Sequence, residues 1–202
     1  MRLYSQIDEE RIRAQTMVRE WTRSGLLDAS QRARLEADLH VDVRRTNLPL
    51  RAGLALFTAI IVGASVQLVI AGLNLRSEIA VAVVSGLAAL VCLGLAEVMA
   101  GRFRFYRFGV EEALAVASVL LISVSGAVLV TVSGNRVVEA PMFVGLLIGA
   151  AGAFGIYRRF GFVYAAIGSM ACAAAIPFQL QPSPMTRHLA AAAILASVFA
   201  IV

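Results

Sequence analysis

Long apolar stretches follow one another along most of this chain, separated by short polar loops. From Ala52 onward, five stretches are each about long enough to cross a hydrocarbon core roughly 30 Å thick, and a shorter sixth runs to Val202. We place the spans at about 52–73, 79–100, 113–132, 141–157, 161–180 and 189–202. Each should be a helix, because a span in lipid must satisfy its own backbone hydrogen bonds. The pattern therefore predicts an all-α, polytopic transmembrane helical bundle of about six spans.

The sixth span is short for a bilayer. Its clearly apolar part begins at Leu189, and at about 1.5 Å per residue it falls short of the hydrocarbon thickness. Two explanations are open: either the helix begins earlier, near Pro184, or the natural chain continues past Val202.

Residues 1–48 differ from the bundle at 49–202. In residues 1–48, apolar residues recur with helical spacing among many charged ones. The first helix carries Trp21 and should stop at Gly25, since glycine suits a left-handed C-terminal position. Asp28 followed by Gln31 forms a capping-box pattern for the second helix. We predict a cytoplasmic two-helix amphipathic hairpin from about Ser5 to Arg45.

The second helix of this hairpin carries a narrow apolar stripe. Leu35, Leu39 and Val43 recur every fourth residue, and the run from Thr46 to Pro49 should end the helix. A hairpin this small has little core of its own, so it should lean on a membrane or cytoplasmic protein partner, with Trp21, Leu35 and Leu39 as candidate partner-binding residues. A solvated leader without a separate role is the alternative, and an interfacial helix on lipid ranks lower.

Composition supports membrane insertion. The chain is 59% hydrophobic and 15% charged, with a mean hydropathy of +0.80, whereas soluble domains are roughly 25% charged. Arginine carries all of the positive charge behind the net +5, and it lies mainly before Ala52 and at span ends. Orientation and contact with the lipid bilayer explain that placement better than nucleic acid, which we exclude as a partner.

Arginines also alternate in density from loop to loop. Ten precede the first span, and the following loops carry one, three, one, two and one, so alternate loops hold fifteen against three. By the positive-inside rule the N-terminus is cytoplasmic. The first ten residues lack the form of a signal peptide, so the first span should itself target the chain to the membrane.

Two repeated patterns recur in the spans. Arg51, Arg107 and Arg159 each precede a glycine by two positions, which would fit a repeated helical hairpin, although independent arginine anchors explain it more simply. Small residues also recur at four-residue spacing in three spans. These ridges are Ala55, Ala59 and Gly63, then Gly145, Gly149 and Ala153, then Ala192, Ala196 and Ala200. We expect them to pack inside the bundle, with homo-oligomerisation as the alternative.

Two polar residues inside the spans are candidate intramembrane sites. Glu97 is the carboxylate placed within a span, where charge is costly and usually functional. Because it lies about one turn from the cytoplasmic end, pairing with Arg102 or Arg104 is favoured over a proton or substrate site. Gln67 lies deeper and suits an interhelical hydrogen bond. Glu111 and Glu112 should complement the helix dipole at the start of the third span and pair with Arg107.

The inventory of reactive residues argues against catalysis and cofactors. Ser125 and its neighbours would need a histidine base, but His40 and His188 both lie outside the predicted spans. Cys92 and Cys172 lie within apolar runs and form no metal-ligand spacing. We therefore predict no catalytic residue, no metal site and no cofactor.

Several short motifs together suggest a family. They are the tryptophan-bearing helix, Gly25-Leu26-Leu27-Asp28 with Gln31 and Leu35, and Arg107-Phe108-Gly109-Val110-Glu111-Glu112-Ala113-Leu114. The chain resembles an uncharacterised family of predicted bacterial multi-span membrane proteins with an N-terminal cytoplasmic helical hairpin. The resemblance implies a bacterial inner-membrane location and, because members often have more spans, a shortened member here. The resemblance implies no particular activity and no site residues.

The sequence as a whole favours a non-enzymatic structural or interaction protein that presents the hairpin. A small-solute transporter or transporter subunit is the alternative, suggested by the repeated arginine–glycine pattern and by Glu97.

Overall fold

The computed structural model describes residues 6–39, 46–105, 108–133, 140–179 and 184–201, and these ranges are helical with short connections. The elements are α1 (Gln6–Arg23), α2 (Ala29–Asp38), α3 (Leu48–Gly72), α4 (Glu78–Gly101), α5 (Val110–Val132), α6 (Ala140–Phe160), α7 (Val163–Ala175), a 3₁₀ turn (Ile176–Gln179) and α8 (Pro184–Ile201). The all-α prediction is confirmed.

Four helices, α3 to α6, are long and apolar enough to cross a membrane, which indicates a membrane protein. α7 and the 3₁₀ turn together form a shorter apolar segment over 163–179, about 25 Å long at 1.5 Å per residue. α8 begins at Pro184, as in the first of the two explanations that the sequence left open for the short sixth span. At the same rise α8 spans about 27 Å, close to the hydrocarbon thickness.

The turn between α1 and α2 follows the predicted local chemistry. Gly25 has φ +74°, and the Asp28 carboxylate accepts a hydrogen bond from the Gln31 backbone N–H at 2.8 Å. The Gln31 side chain accepts one from the Asp28 backbone N–H at 3.1 Å, which completes the capping box. The Gln31 backbone N–H bond is the main reason that the pKa of Asp28 lies below its ordinary value, with Ser30 adding to it.

The predicted end of the second helix was wrong. α2 ends at Asp38, so Leu39 is its C-terminal cap, and Val43 lies outside the described residues. Pro49 opens α3 instead of ending α2, because a proline near the first helical position lacks only an N–H that would be unpaired there anyway. Consequently α3 begins at Leu48 instead of Ala52, and Arg51 lies in its first turn.

Successive helices from α4 to α7 run antiparallel and share one core. Ser125 of α5 donates a hydrogen bond to the Ala82 carbonyl of α4 at 2.8 Å, and Ser169 of α7 donates one to the Ala150 carbonyl of α6 at 2.8 Å. The buried cluster combines residues of these four helices and the α6–α7 turn: Cys92, Ala96, Ala100, Leu114, Ala115, Ile156, Phe160, Phe162 and Ala165. Small side chains let these helices approach closely, as expected where lipid removes the hydrophobic drive for association.

The small-residue ridges have three different outcomes. On α6, Gly149 lies against Ser123 and Cys172, so this ridge packs inside the bundle as predicted. On α3, no residue is buried, and the ridge at Ala55 to Gly63 lines an open cavity. On α8, Ala192 and Ala196 are exposed whereas Ala191 is buried, so these two residues do not pack inside the bundle as predicted, and the side chain of Ala200 lies outside the described residues.

Candidate functional site at the arginine end

One end of the bundle gathers most of the charged side chains of α3 to α6. α3 and α5 begin at this end, and α4 and α6 finish there, so residues far apart in sequence meet. We call it the arginine end. Its arginines within or next to the described spans are Arg51, Arg102, Arg104, Arg158 and Arg159.

A bidentate ion pair joins α3 to α5 at the arginine end. Arg51 donates from Nε to Glu112 Oε2 at 2.8 Å and from Nη2 to Glu112 Oε1 at 2.5 Å. The Glu112 side chain is 9% exposed and that of Arg51 is 25% exposed. A partly buried bidentate pair is among the stronger polar contacts available to a protein. Thr46 adds a bond from its hydroxyl to the Phe108 carbonyl at 3.3 Å.

Gly109 allows this close approach of α3 and α5. Its φ is +108°, and a Cβ atom added there would overlap the backbone carbonyl of Arg51. Only glycine combines that dihedral with that proximity at little cost. Of the other two glycines in the arginine–glycine pattern, Gly161 also has a left-handed φ of +74°, whereas Gly53 lies inside α3 and does not share this conformation. Arg107 lies outside the described residues.

Glu111 is the most deeply buried polar residue of this end. The residue is fully buried, and its Oε1 accepts a hydrogen bond from the Phe108 backbone N–H at 2.7 Å. Oε2 has no hydrogen-bond partner in the described part of the chain. Within the described residues Glu111 contacts Phe108 and Glu112 contacts Arg51, and the predicted pairing with Arg107 involves a residue outside that part of the chain.

A second bidentate ion pair joins α4 to α6. Arg159 donates from Nε and Nη2 to the two Glu97 carboxylate oxygens at 2.7 and 2.8 Å. Glu97 is thus a paired glutamate near the end of its span, but its partner is Arg159 instead of the predicted Arg102 or Arg104. Both side chains are more exposed than those of the Arg51–Glu112 pair, at 35% for Glu97 and 43% for Arg159.

Aromatic rings continue the arginine end between α6 and α7. Phe160 and Phe162 stack at 5.4 Å between centroids, and Phe162 stacks on Tyr164 at 5.3 Å. Phe160 and Phe162 are almost fully buried, so this stack fixes the start of α7. It also brings the Tyr164 phenol close enough to Arg51 for an electrostatic interaction.

Two cavities flank α5, and we name them together the α5 cleft. The first, about 460 Å³, lies between α3 and α5 and reaches Tyr164. The second, about 370 Å³, lies between α5, α6 and α7. They share Val116, Leu120 and Tyr164 as walls. Their volumes are those of small-molecule sites in proteins.

The other residues singled out from sequence lie away from this cleft. Gln67 is exposed on α3, and among the described residues its amide has no interhelical hydrogen bond, which corrects that prediction. Neither Gln67 nor Glu97 lines the cavities described above. On the α1–α2 pair, Trp21 is 45% exposed, whereas Leu35 and Leu39 are half-buried. Gln15 of α1 donates a hydrogen bond to the Leu39 carbonyl at 2.6 Å, joining the two helices.

Sequence reasoning missed the pairing of Arg51 with Glu112, the role of Tyr164 and the α5 cleft. A signal for the ion pair was available, because alternate spans start at the same end of a bundle and this places Arg51 beside Glu112. No comparable signal marks Tyr164, since its position depends on the turn between α6 and α7. Chemically, the arginine end offers paired charges and an apolar cavity with one polar end.

Comparison of the chain with protein-family models, with curated proteins and with solved structures finds no match.

Proposed function

We propose that this chain is a non-enzymatic integral membrane protein that presents the α1–α2 pair to a protein partner beside the membrane. In this proposal α3 to α6, the α7 segment and α8 provide six spans. The family resemblance and the bacterial inner-membrane location belong to the same proposal.

Exposed apolar side chains outside the spans carry the proposal. Met17 is 46% exposed, Trp21 45% and Leu26 71%. Met17 and Trp21 lie four residues apart on α1, so they share one face of that helix. Exposed tryptophan and methionine are over-represented where proteins bind partners. α1 buries Val18 instead, which leaves this face free for another molecule.

The orientation in this proposal follows from charge. Arg51, Arg102, Arg104, Arg158 and Arg159 cluster at one end of the described spans, whereas Arg76 lies at the other end. Cytoplasmic loops carry the excess of arginine in membrane proteins, which supports a cytoplasmic α1–α2 pair. An impermeant thiol reagent on sealed cells should therefore label Asn74→Cys and not Ser24→Cys.

Site-specific photocrosslinking in intact cells tests the partner. A photoreactive residue in place of Met17 or Trp21 should yield one discrete protein adduct, because those side chains face outward. The matched control is the same residue at Arg19, which is exposed on α1 but outside the apolar face. Deletion of residues 1–39 should abolish partner recovery while the bundle remains folded.

The proposal fails if positions 17 and 21 crosslink only to lipid, or to the same proteins as position 19 with the same yield. Unchanged partner recovery after deletion of residues 1–39 would also contradict it.

A further inference from the structure

The α5 cleft is apolar along its length and polar at one end. Ala59, Gly63 and Leu120 are typical of its walls, and Glu112 and Tyr164 supply polar atoms where the first cavity approaches the arginine end. An amphiphile has the same division into an apolar chain and a polar head. The cleft therefore matches a lipid better than a water-soluble ligand.

The apolar walls alone give a lipid chain little reason to prefer the cleft to the bilayer. Lipid tails are as apolar as leucine or valine side chains, so no hydrophobic free energy is gained by the exchange. Any retained lipid must be held by its polar head. The group that can do this is Arg51, which lies beside Glu112 at the polar end.

Arg51 has donors to spare. Its Nε and one N–H of Nη2 bind Glu112, and Nη1 makes no hydrogen bond within the part of the chain that the structure describes. The side chain is a quarter exposed, so it is not closed off from an incoming group. Guanidinium groups bind phosphate oxygens through such paired donors.

We propose that the α5 cleft binds one phospholipid, whose phosphate is held by Arg51 beside Tyr164 and whose acyl chain lies along Ala59, Gly63 and Leu120. Because Glu112 already neutralises Arg51, a free phosphate ion gains little from this site. A phospholipid differs because its chain confines it to the bilayer, which holds its phosphate at high effective concentration beside Arg51. The ligand is therefore a lipid headgroup and not a dissolved anion.

Phospholipid retained by the purified full chain after extensive detergent washing tests the proposal. The wild type should keep a single phospholipid per chain by native mass spectrometry. Gly63→Phe should lose it, because a Cβ at Gly63 meets no atom within 4 Å and the ring can fill the cleft. Arg51→Gln should lose it through the missing phosphate donors. Size exclusion and thermal unfolding report whether each variant is folded.

Two controls match these variants. Gly94→Phe places the same ring on α4, where a Cβ also meets no atom within 4 Å but no wall of the cleft is present. Arg76→Gln removes an arginine at the other end of α3, beside Asn74. Both should retain lipid as the wild type does, and inorganic phosphate in every buffer should leave retention unchanged.

Retention by folded Gly63→Phe would overturn the proposal even if Arg51→Gln failed to fold. Retention by folded Arg51→Gln would overturn it as well, since the phosphate would then need no guanidinium. Release of the lipid by inorganic phosphate would show a site for a free anion. A wild-type dimer without lipid, broken by Gly63→Phe, would show that a second copy fills the cleft.

Discussion

α3 and α5 have nearly the same length and hydropathy, but they differ in how much of each helix is buried. Their mean hydropathies are 2.3 and 2.5, and their lengths are 25 and 23 residues. Yet α3 has no buried residue, whereas α5 buries six, including Glu111 and Ser125. Hydropathy reports that a segment can enter lipid, and it does not report which neighbours the segment has. Position in the bundle depends on small residues and on a few polar contacts.

Gly109→Ala should have the largest effect on the packing of α3 against α5. The variant places a β-carbon in a left-handed backbone and against the Arg51 carbonyl, which is backbone and cannot move aside cheaply. We expect the free energy of unfolding to fall by about 3 kcal/mol, mostly by loosening α3 from α5. Unfolding of the purified protein by increasing SDS measures it.

Gly53→Ala is the control for Gly109→Ala. Gly53 follows an arginine by two positions as well, but it lies inside α3 with open space around it. Alanine there should be neutral or stabilise by up to about 1 kcal/mol, since glycine is a poorer helix former. Equal losses for the two variants would remove Gly109 as the reason that α3 and α5 meet.

The next effect concerns the ion pair that joins α3 to α5. A double-mutant cycle of Arg51→Gln and Glu112→Gln should give a coupling free energy of about 2 kcal/mol, because the Glu112 side chain is only 9% exposed. The cycle is read from the same SDS unfolding. A coupling near zero would mean that this pair does not hold α3 in place.

The corresponding cycle for Glu97→Gln and Arg159→Gln should give less, about 0.5 kcal/mol. Both partners are at least a third exposed, and such pairs are screened and entropically costly to order. Its dependence on salt should also be steeper than that of the Arg51–Glu112 cycle. If the two cycles gave equal energies, exposure would not be what separates the two pairs.

The smallest effect lies outside the spans, at the start of α2. Asp28→Ala should speed exchange of the Gln31 backbone N–H, because that amide loses its acceptor. In the wild type the pKa of Asp28 is lowered, so its stabilisation is full above the unfolded pKa of about 3.9 and is lost as pH falls through the folded value. Asp38→Ala, at the other end of α2, should leave the Gln31 amide unchanged.

Local features were predictable because they depend on residues close in sequence. The capping box needs only Asp28 and Gln31, and the span positions need only a run of apolar residues. Side-chain partners on different helices of the bundle were not predictable. Arg159 lies 62 residues from Glu97, and nearer arginines at Arg102 and Arg104 made a local pairing attractive. The close approach at Gly109 was not predictable either, because it depends on the backbone of α3, which is distant in sequence.

The α5 cleft could not be predicted for a related reason. A ridge of small residues such as Ala55, Ala59 and Gly63 predicts close helix packing on most occasions. On α3 the same ridge lines the first cavity. The opposite wall of that cavity is formed by α5 and by Tyr164 of α7. The pattern therefore specifies a surface and leaves its neighbour undetermined.

Labelling of the protein in bilayers by a lipid-soluble carbene reagent, mapped residue by residue, tests most directly whether α3 lies outside the packed core. Protection should be strong at Leu114, Ala115 and Ser118 on α5 and weaker at every residue of α3, since none of them is buried. A face of α3 protected as strongly as Ala115 would contradict the account.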